Sequence, residues 1–264
     1  MKLGTGNRSL ALALCAAFVG AALSGCTTSQ KRAEQRQMAR RAVSHLDIGV
    51  DHLENDRSAL ALREFMTAET LDPRNPRIQY GLAQAYWARE RYEDVERHLR
   101  RALALHPDYH DARLTLSALL IRLERYEEAI VECNRLVDDA TAPAPWRPLA
   151  NRGFAEFKLG RRADARRTLE KARDFNRDFW PATLSLAMLE AEEGRRLEAI
   201  RLYRQILEQE PGPSAESEVN YRVAEIYIAL GKRDRALGHL TAAVAREPEG
   251  QWAAKSEEYL KLLR

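Results

Sequence analysis

The chain has 264 residues, with 42 Lys and Arg against 39 Asp and Glu, a formal charge of +3. That near balance argues against a nucleic-acid partner, which would need a clustered basic surface, despite the many arginines. The length allows one elongated domain or two small ones. Met1–Arg8 carries Lys2 and Arg8 and no acid, and Ser9–Leu23 carries no charge. A transmembrane helix needs about 20 apolar residues, so this run is too short to span a bilayer. A basic start and a short apolar core predict a cleaved leader over residues 1–25, which leaves the mature chain close to neutral.

Leu23-Ser24-Gly25-Cys26 resembles the lipobox of bacterial lipoproteins. The resemblance implies a diacylglyceryl group on the Cys26 sulfur and cleavage that makes Cys26 the acylated N-terminus. Acyl chains each contribute ~0.8 kcal/mol per buried CH₂, enough together to hold a soluble domain at a membrane. Thr27, where an Asp often retains such proteins at the inner membrane, implies the periplasmic face of the outer membrane. An ordinary cleaved leader or a short anchor helix, with Cys26 incidental, is the alternative. With Cys15 lost and Cys26 acylated only Cys133 remains, so no intramolecular disulfide is available and packing alone holds the fold. Residues 26–41 have few apolar positions and read as a mobile tether. Its basic stretch, Lys31-Arg32, Arg36 and Arg40-Arg41, is a solvated first helix or a contact for anionic lipid.

From Ala42 to Pro248 the chain is one unit repeated. Gly49, Ala61, Phe65, Ala68 and Pro73 are spaced like the small, Ala, aromatic, Ala and Pro marks of the tetratricopeptide (TPR) unit of about 34 residues. Frames starting at Ala42, Pro76, His110, Trp146, Trp180 and Ser217 carry the pattern through six repeats. Position 8 is always small (Gly49, Ala83, Ser117, Gly153, Ala187, Ala224), and position 20 is Ala in five frames and Val95 in the other. Position 24 is bulky or apolar throughout: Phe65, Leu99, Cys133, Leu169, Tyr203, Leu240. Two antiparallel helices approach closely only where one offers a small side chain, and the larger residue fills the space beside the contact. Each helical hairpin leaves an apolar face uncovered, so neighbours must stack. The predicted fold is all-α, a TPR superhelix of six helix-turn-helix repeats. Pro73, Pro107, Pro211 and Pro248 end second helices, and Gly160, Gly194 and Gly231 mark bends between the helices of repeats 4 to 6. DDATAPAPWRP (138–148) and EPGPSAES (210–217) lengthen two junctions and read as rigid kinks. Residues 249–264 predict a capping helix with Trp252, Tyr259, Leu260 and Leu263 inward.

No catalytic constellation emerges, and neither a cofactor nor a metal is expected. His106 and His110 are separated by Pro107 at a repeat boundary, so they do not share a helix face as an HExxH pair would. Cys133 falls in the buried column and reads as a small core residue. The TPR resemblance implies that first helices line a groove through positions 2, 5, 9 and 12. The groove residues expected from it are Leu46, Tyr80, Gln84, Trp87, Leu114, Ile121, Phe154, Phe157, Leu184, Met188 and Tyr221. That lining is apolar and aromatic, suited to a hydrophobic or amphipathic segment of a partner protein. TPR modules that grip a chaperone's C-terminal carboxylate place Lys and Asn at positions 5 and 9, and this chain has neither there.

The lipobox at Cys26, six repeats opening at Ala42, the Pro-rich insert before repeat 4 and a fourth repeat ending in Asn176-Arg177 together resemble the PilF/PilW family, the outer-membrane pilotins of type IV pilus systems. What that resemblance implies is a non-enzymatic, lipid-anchored protein that binds secretin subunits and promotes their outer-membrane localisation and multimerisation. A TPR lipoprotein of outer-membrane protein assembly and a scaffold organising cell-wall enzymes are the rival readings.

Overall fold

A computed structural model describes the backbone of residues 7–263 and the side chains of residues 30–263. The leader and the Cys26 attachment point lie outside the described side chains. The described residues form thirteen α-helices and no strand. Among them, no helix is long and apolar enough to cross a membrane. The chain divides into two compact units, Met1–Asp108 and Tyr109–Arg264.

In the N-terminal unit, α1 (Asn7–Glu54) pairs with α2 (Ser58–Leu71), and α3 (Pro76–Trp87) with α4 (Tyr92–Leu105). Residues 30–41, expected to be a mobile tether, are instead the exposed upstream part of helix α1. Their Ala, Glu, Gln, Arg, Lys and Met residues are strong helix formers, and helix needs no buried face when propensity favours it. Phe65 is fully buried with its ring against Gly49 and Gly81; a methyl on Gly81 would sit 2.8 Å from the ring. A side chain at either glycine would collide with the Phe65 ring.

The C-terminal unit pairs α5 (His110–Arg122) with α6 (Tyr126–Val137), α7 (Trp146–Lys158) with α8 (Arg162–Phe175), α9 (Trp180–Glu192) with α10 (Arg196–Leu207), and α11 (Pro213–Ala229) with α12 (Arg233–Arg246). A last helix, α13 (Gln251–Leu263), lays Trp252, Tyr259, Leu260 and Leu263 over Tyr221, Ala224, Leu240 and Ala243. In the insert before repeat 4, Asp139 accepts from the Thr141 N–H at 2.8 Å and hydroxyl at 2.7 Å, and from His110 Nε2 at 2.8 Å. Those bonds, led by the Thr141 hydroxyl, hold its carboxyl down at about 2. The second insert is not a loop throughout: Gly212, at φ 100, turns the chain and Pro213 opens α11. Proline at the first helical position costs no hydrogen bond, so the helix starts a turn before the repeat frame.

The turn between the two helices of every repeat passes through the left-handed region at position 15. Gly160, Gly194 and Gly231 have φ of 73, 78 and 67, and Asp56, Glu90 and Glu124 have 56, 57 and 58. Glycine enters this region freely, whereas an L side chain costs about 1 kcal/mol or more. Gly194→Ala is therefore expected to lower stability by about 1 kcal/mol, and Glu124→Gly to leave it unchanged or raise it, as read by urea unfolding. Equal effects of the two changes would refute this account.

A second recurrent contact joins position 4 of the first helix to position 23 of the second. His45 Nδ1 donates to Glu64 at 2.7 Å, His98 Nδ1 to Gln79 at 2.8 Å, Arg113 to Glu132 at 2.6 Å, and His239 Nδ1 to Asn220 at 2.8 Å. Repeats 4 and 5 replace the polar pair with Leu149 and Thr168, and with Thr183 and Leu202. His98 also stacks on Tyr86 and His239 on Tyr227, with centroids 5.4 and 5.6 Å apart. Burial holds both imidazoles below their ordinary value of 6.5. Arg97 and Arg101 add to the effect at His98, against Glu69 and Asp94, and Arg204 adds to it at His239. Near that pH the unfolded chain binds more protons than the folded one. Stability is therefore full above 6.5 and is lost as pH falls through the lower folded-state values. The urea midpoint should fall between about pH 7.5 and about pH 5.5. The fall should shrink in Gln79→Leu/His98→Thr, which copies the pair of repeat 4. An unchanged fall in that variant would rule out His98 as a contributor.

Candidate protein-binding groove

In the C-terminal unit, successive first helices expose one stripe each, and these stripes enclose an open groove. One compartment, of about 390 Å³, is floored by Ala118 and Ile121 of α5, Phe154 of α7, and Pro181, Leu184 and Met188 of α9. Phe154 is braced edge-on by Phe157, with centroids 6.4 Å apart. A second compartment, of about 340 Å³, lies between α9 and α11 and includes Met188, Ala191, Tyr203, Ile226 and Ala229. Met188 and Arg222 belong to both. Arg222 is neutralised in place: its Nε donates to Glu218 at 2.8 Å, and its guanidinium lies 5.0 Å from the Trp252 ring.

The expected groove residues divide by environment. Ile121, Phe154, Leu184 and Met188 converge on the first compartment. Leu114 is half-buried on α5, and Tyr80, Gln84 and Trp87 are half-buried on α3 of the N-terminal unit, where Trp87 meets Tyr92 edge-on at 6.1 Å. Leu46, Phe157 and Tyr221 do not line an open surface. They are 2, 5 and 8% exposed and pack in the core, Tyr221 beneath Trp252 and Tyr259. The reason is helical geometry. Positions 2, 6, 9 and 13 form the outward stripe, whereas 5 and 12 flank it and turn partly into the hairpin. That stripe supplies the polar members that the apolar lining left out: Asn151, Lys158, Ser185, Glu218 and Arg222. Spacing of three and four residues from position 9 is the signal that finds them.

The groove holds no converging set of titratable groups that could do chemistry, and among the described residues no cluster of His, Cys, Asp and Glu could hold a metal ion. Cys133 is fully buried, and burial pushes its thiol up to about 12. A thiol so protonated is a poor nucleophile. The groove is a recognition surface on a helical-hairpin scaffold, the arrangement of a protein-interaction module.

Sequence profiles described as tetratricopeptide repeat match residues 86–153 and 190–257, and a second set with the same description matches residues 46–94 and 151–216. The chain belongs to the tetratricopeptide-repeat family. It is similar to the type IV pilus assembly protein PilF of Pseudomonas aeruginosa, with 25% identity over 226 residues, 84% of this chain and 88% of that one. In fold it is similar to the crystal structure of PilW, a widely conserved type IV pilus biogenesis factor, with a TM-score of 0.69 and 19% identity over 81% of this chain and 97% of that one. The Pseudomonas aeruginosa PilF structure gives a TM-score of 0.64 at 18% identity, covering 84% and 99%. A tetratricopeptide repeat protein from Parabacteroides merdae gives 0.70 at 16%, covering 84% of each chain.

Proposed function

We propose that this chain is a pilotin: an outer-membrane lipoprotein that binds secretin subunits and promotes their localisation and multimerisation in type IV pilus biogenesis. Cys26 carries the lipid, and the exposed upstream part of α1 links it to the repeats at the periplasmic face of the outer membrane. The observation that supports this reading most is the open apolar groove around Phe154, Leu184 and Met188, on a chain similar to PilF along most of its length. An unassembled subunit exposes an apolar segment that would otherwise aggregate. The groove covers it, and anchoring raises the subunit's local concentration where it must insert.

Deleting the protein should abolish secretin multimers while the levels of outer-membrane barrel proteins hold. Met188→Glu, which places a charge between the two compartments on a half-buried side chain at the edge of the core, should reproduce the loss with the protein still present and its circular dichroism unchanged. Cys26→Ser should move the protein to the soluble fraction. Unchanged multimers after deletion would refute the pilotin reading, and falling barrel proteins would favour general outer-membrane assembly.

A further inference from the structure

The helix-to-helix turns of this chain come in two kinds. Repeats 1 to 3 read Asp56-Arg57-Ser58, Glu90-Arg91-Tyr92 and Glu124-Arg125-Tyr126. Repeats 4 to 6 read Gly160-Arg161-Arg162, Gly194-Arg195-Arg196 and Gly231-Lys232-Arg233. With glycine at the left-handed position, the later turns lose the acid and gain a second cation. The turns of repeats 4 to 6 therefore carry more cations than those of repeats 1 to 3, and the ends of α7 and α10 bring Lys158 and Arg196 to the groove.

Some of that charge is spent within the fold. Arg195 is bound to Glu190 and Glu193, Arg162 lies 3.7 Å from Glu192, and Arg161 lies 3.7 Å from Glu127. The two cations that line the compartments from this side are not spent in this way. Lys158 lines the first compartment beside Ile121 and Phe154, and Arg196 lines the second beside Met188 and Ala191. Both are exposed, and among the described residues neither has an ion-pair or side-chain hydrogen-bond partner. The acids that share these compartments are engaged elsewhere: Glu218 holds Arg222, Glu192 faces Arg162, and Glu225 hydrogen bonds Tyr221. Each apolar compartment thus carries one uncommitted cation, and both cations sit on the turn-side rim.

We infer that the groove of repeats 3 to 6 takes an amphipathic segment whose apolar side chains fill the two compartments and whose carboxylates, along one flank, pair with Lys158 and Arg196. This rests on the groove being the binding surface of the proposed function, and adds the polarity of its occupant. Complementary charge at a rim fixes register and orientation and speeds encounter more than it adds affinity. It also disfavours occupants with a basic flank, since like charges placed together are repulsive.

Two designed helical peptides test this against the full chain. Both carry leucines on one face; one has glutamates along the flank and the other lysines. Fluorescence anisotropy at low salt should show the Leu/Glu peptide binding about tenfold more tightly. The preference should fade as salt is raised. Lys158→Glu/Arg196→Glu should remove or reverse the preference while circular dichroism stays unchanged. Met188→Glu should weaken both peptides. If both peptides bind alike and only Met188→Glu weakens them, the inferred polarity is overturned and the groove reading stands. If neither peptide binds, both are overturned. Loss of binding to phosphatidylglycerol vesicles in the charge-reversed variant, with no change toward either peptide, would assign the two cations to a lipid surface instead and overturn the inference.

Discussion

Phe65→Ala is expected to destabilise the N-terminal unit by about 3–5 kcal/mol, at the upper end for loss of one aromatic side chain. The cost of a core truncation depends on how far the neighbours can collapse into the space. Here they include Gly49 and Gly81 against the ring, with Ala61 and Ala68 buried on the same helix face. None has a side chain long enough to move in. The cavity therefore stays open, and both the transfer free energy and the packing contacts are lost. The reverse change at the same contact, Gly49→Ala, pushes a methyl into the ring and should cost about 1–3 kcal/mol. Urea unfolding followed by circular dichroism reads both, as a shift of the step in which the N-terminal unit unfolds. A loss below about 1 kcal/mol for Phe65→Ala would mean that the hairpins of repeats 1 and 2 close up without their wedge.

Glu190→Ala should be the most damaging single charge removal in the C-terminal unit. Glu190 is 3% exposed on α9 and binds Arg166 from α8 and Arg195 from the following turn. The same two arginines hold Glu193, with Arg166 at 2.6 Å. Two cations and two acids thus form a balanced cluster joining repeat 4 to repeat 5. Removing the buried acid leaves two guanidiniums sharing one carboxylate. Breaking a fully buried pair costs about 3–5 kcal/mol. Arg195 is nearly half exposed, so solvent screens part of the loss and about 2–3 kcal/mol is the expected figure. Glu190→Leu combined with Arg166→Leu removes acid and cation together and should be far milder than Glu190→Ala alone. Thermal midpoints of the three chains compare them directly. Equal midpoints for Glu190→Ala and the double variant would show that the cluster contributes packing rather than charge balance.

Much of the fold was legible because its rules are steric. Helices α3, α5, α7 and α9 begin at Pro76, His110, Trp146 and Trp180, the residues where the small-residue columns place the frames. A column of Gly, Ala and Ser at position 8 has one packing explanation, and six copies make it unambiguous. The departures come from local chemistry that the period does not encode. Residues 30–41 are helical through propensity alone, and α11 starts early because Pro213 follows a glycine turn. In the groove, Phe154, Leu184 and Met188 could be read as a surface because they lie on or beside the outward stripe. Leu46, Phe157 and Tyr221 could not be separated from them by position number, since the flanking positions are buried or open according to what the neighbouring helix presents. Tyr221 is covered only because α13 lies over it. The charged members, Lys158, Glu218 and Arg222, follow from the angular spacing once position 9 is taken as the centre.

The two ends of the array differ from its interior in a way that bears on self-association. Positions 3, 7 and 10 of the first helix are buried and apolar in repeat 2 (Ile78, Leu82, Ala85) and repeat 6 (Val219, Val223, Ile226). In repeat 1 they are Ser44, Ile48 and Asp51, all exposed. Ser44 and Asp51 prefer water to a neighbour's hydrocarbon, so another molecule's terminal hairpin finds no matching seat there. At the far end the seat is already taken by Trp252 and Tyr259. Neither end therefore offers a matching apolar seat for the other, and head-to-tail threading of copies into filaments is not expected.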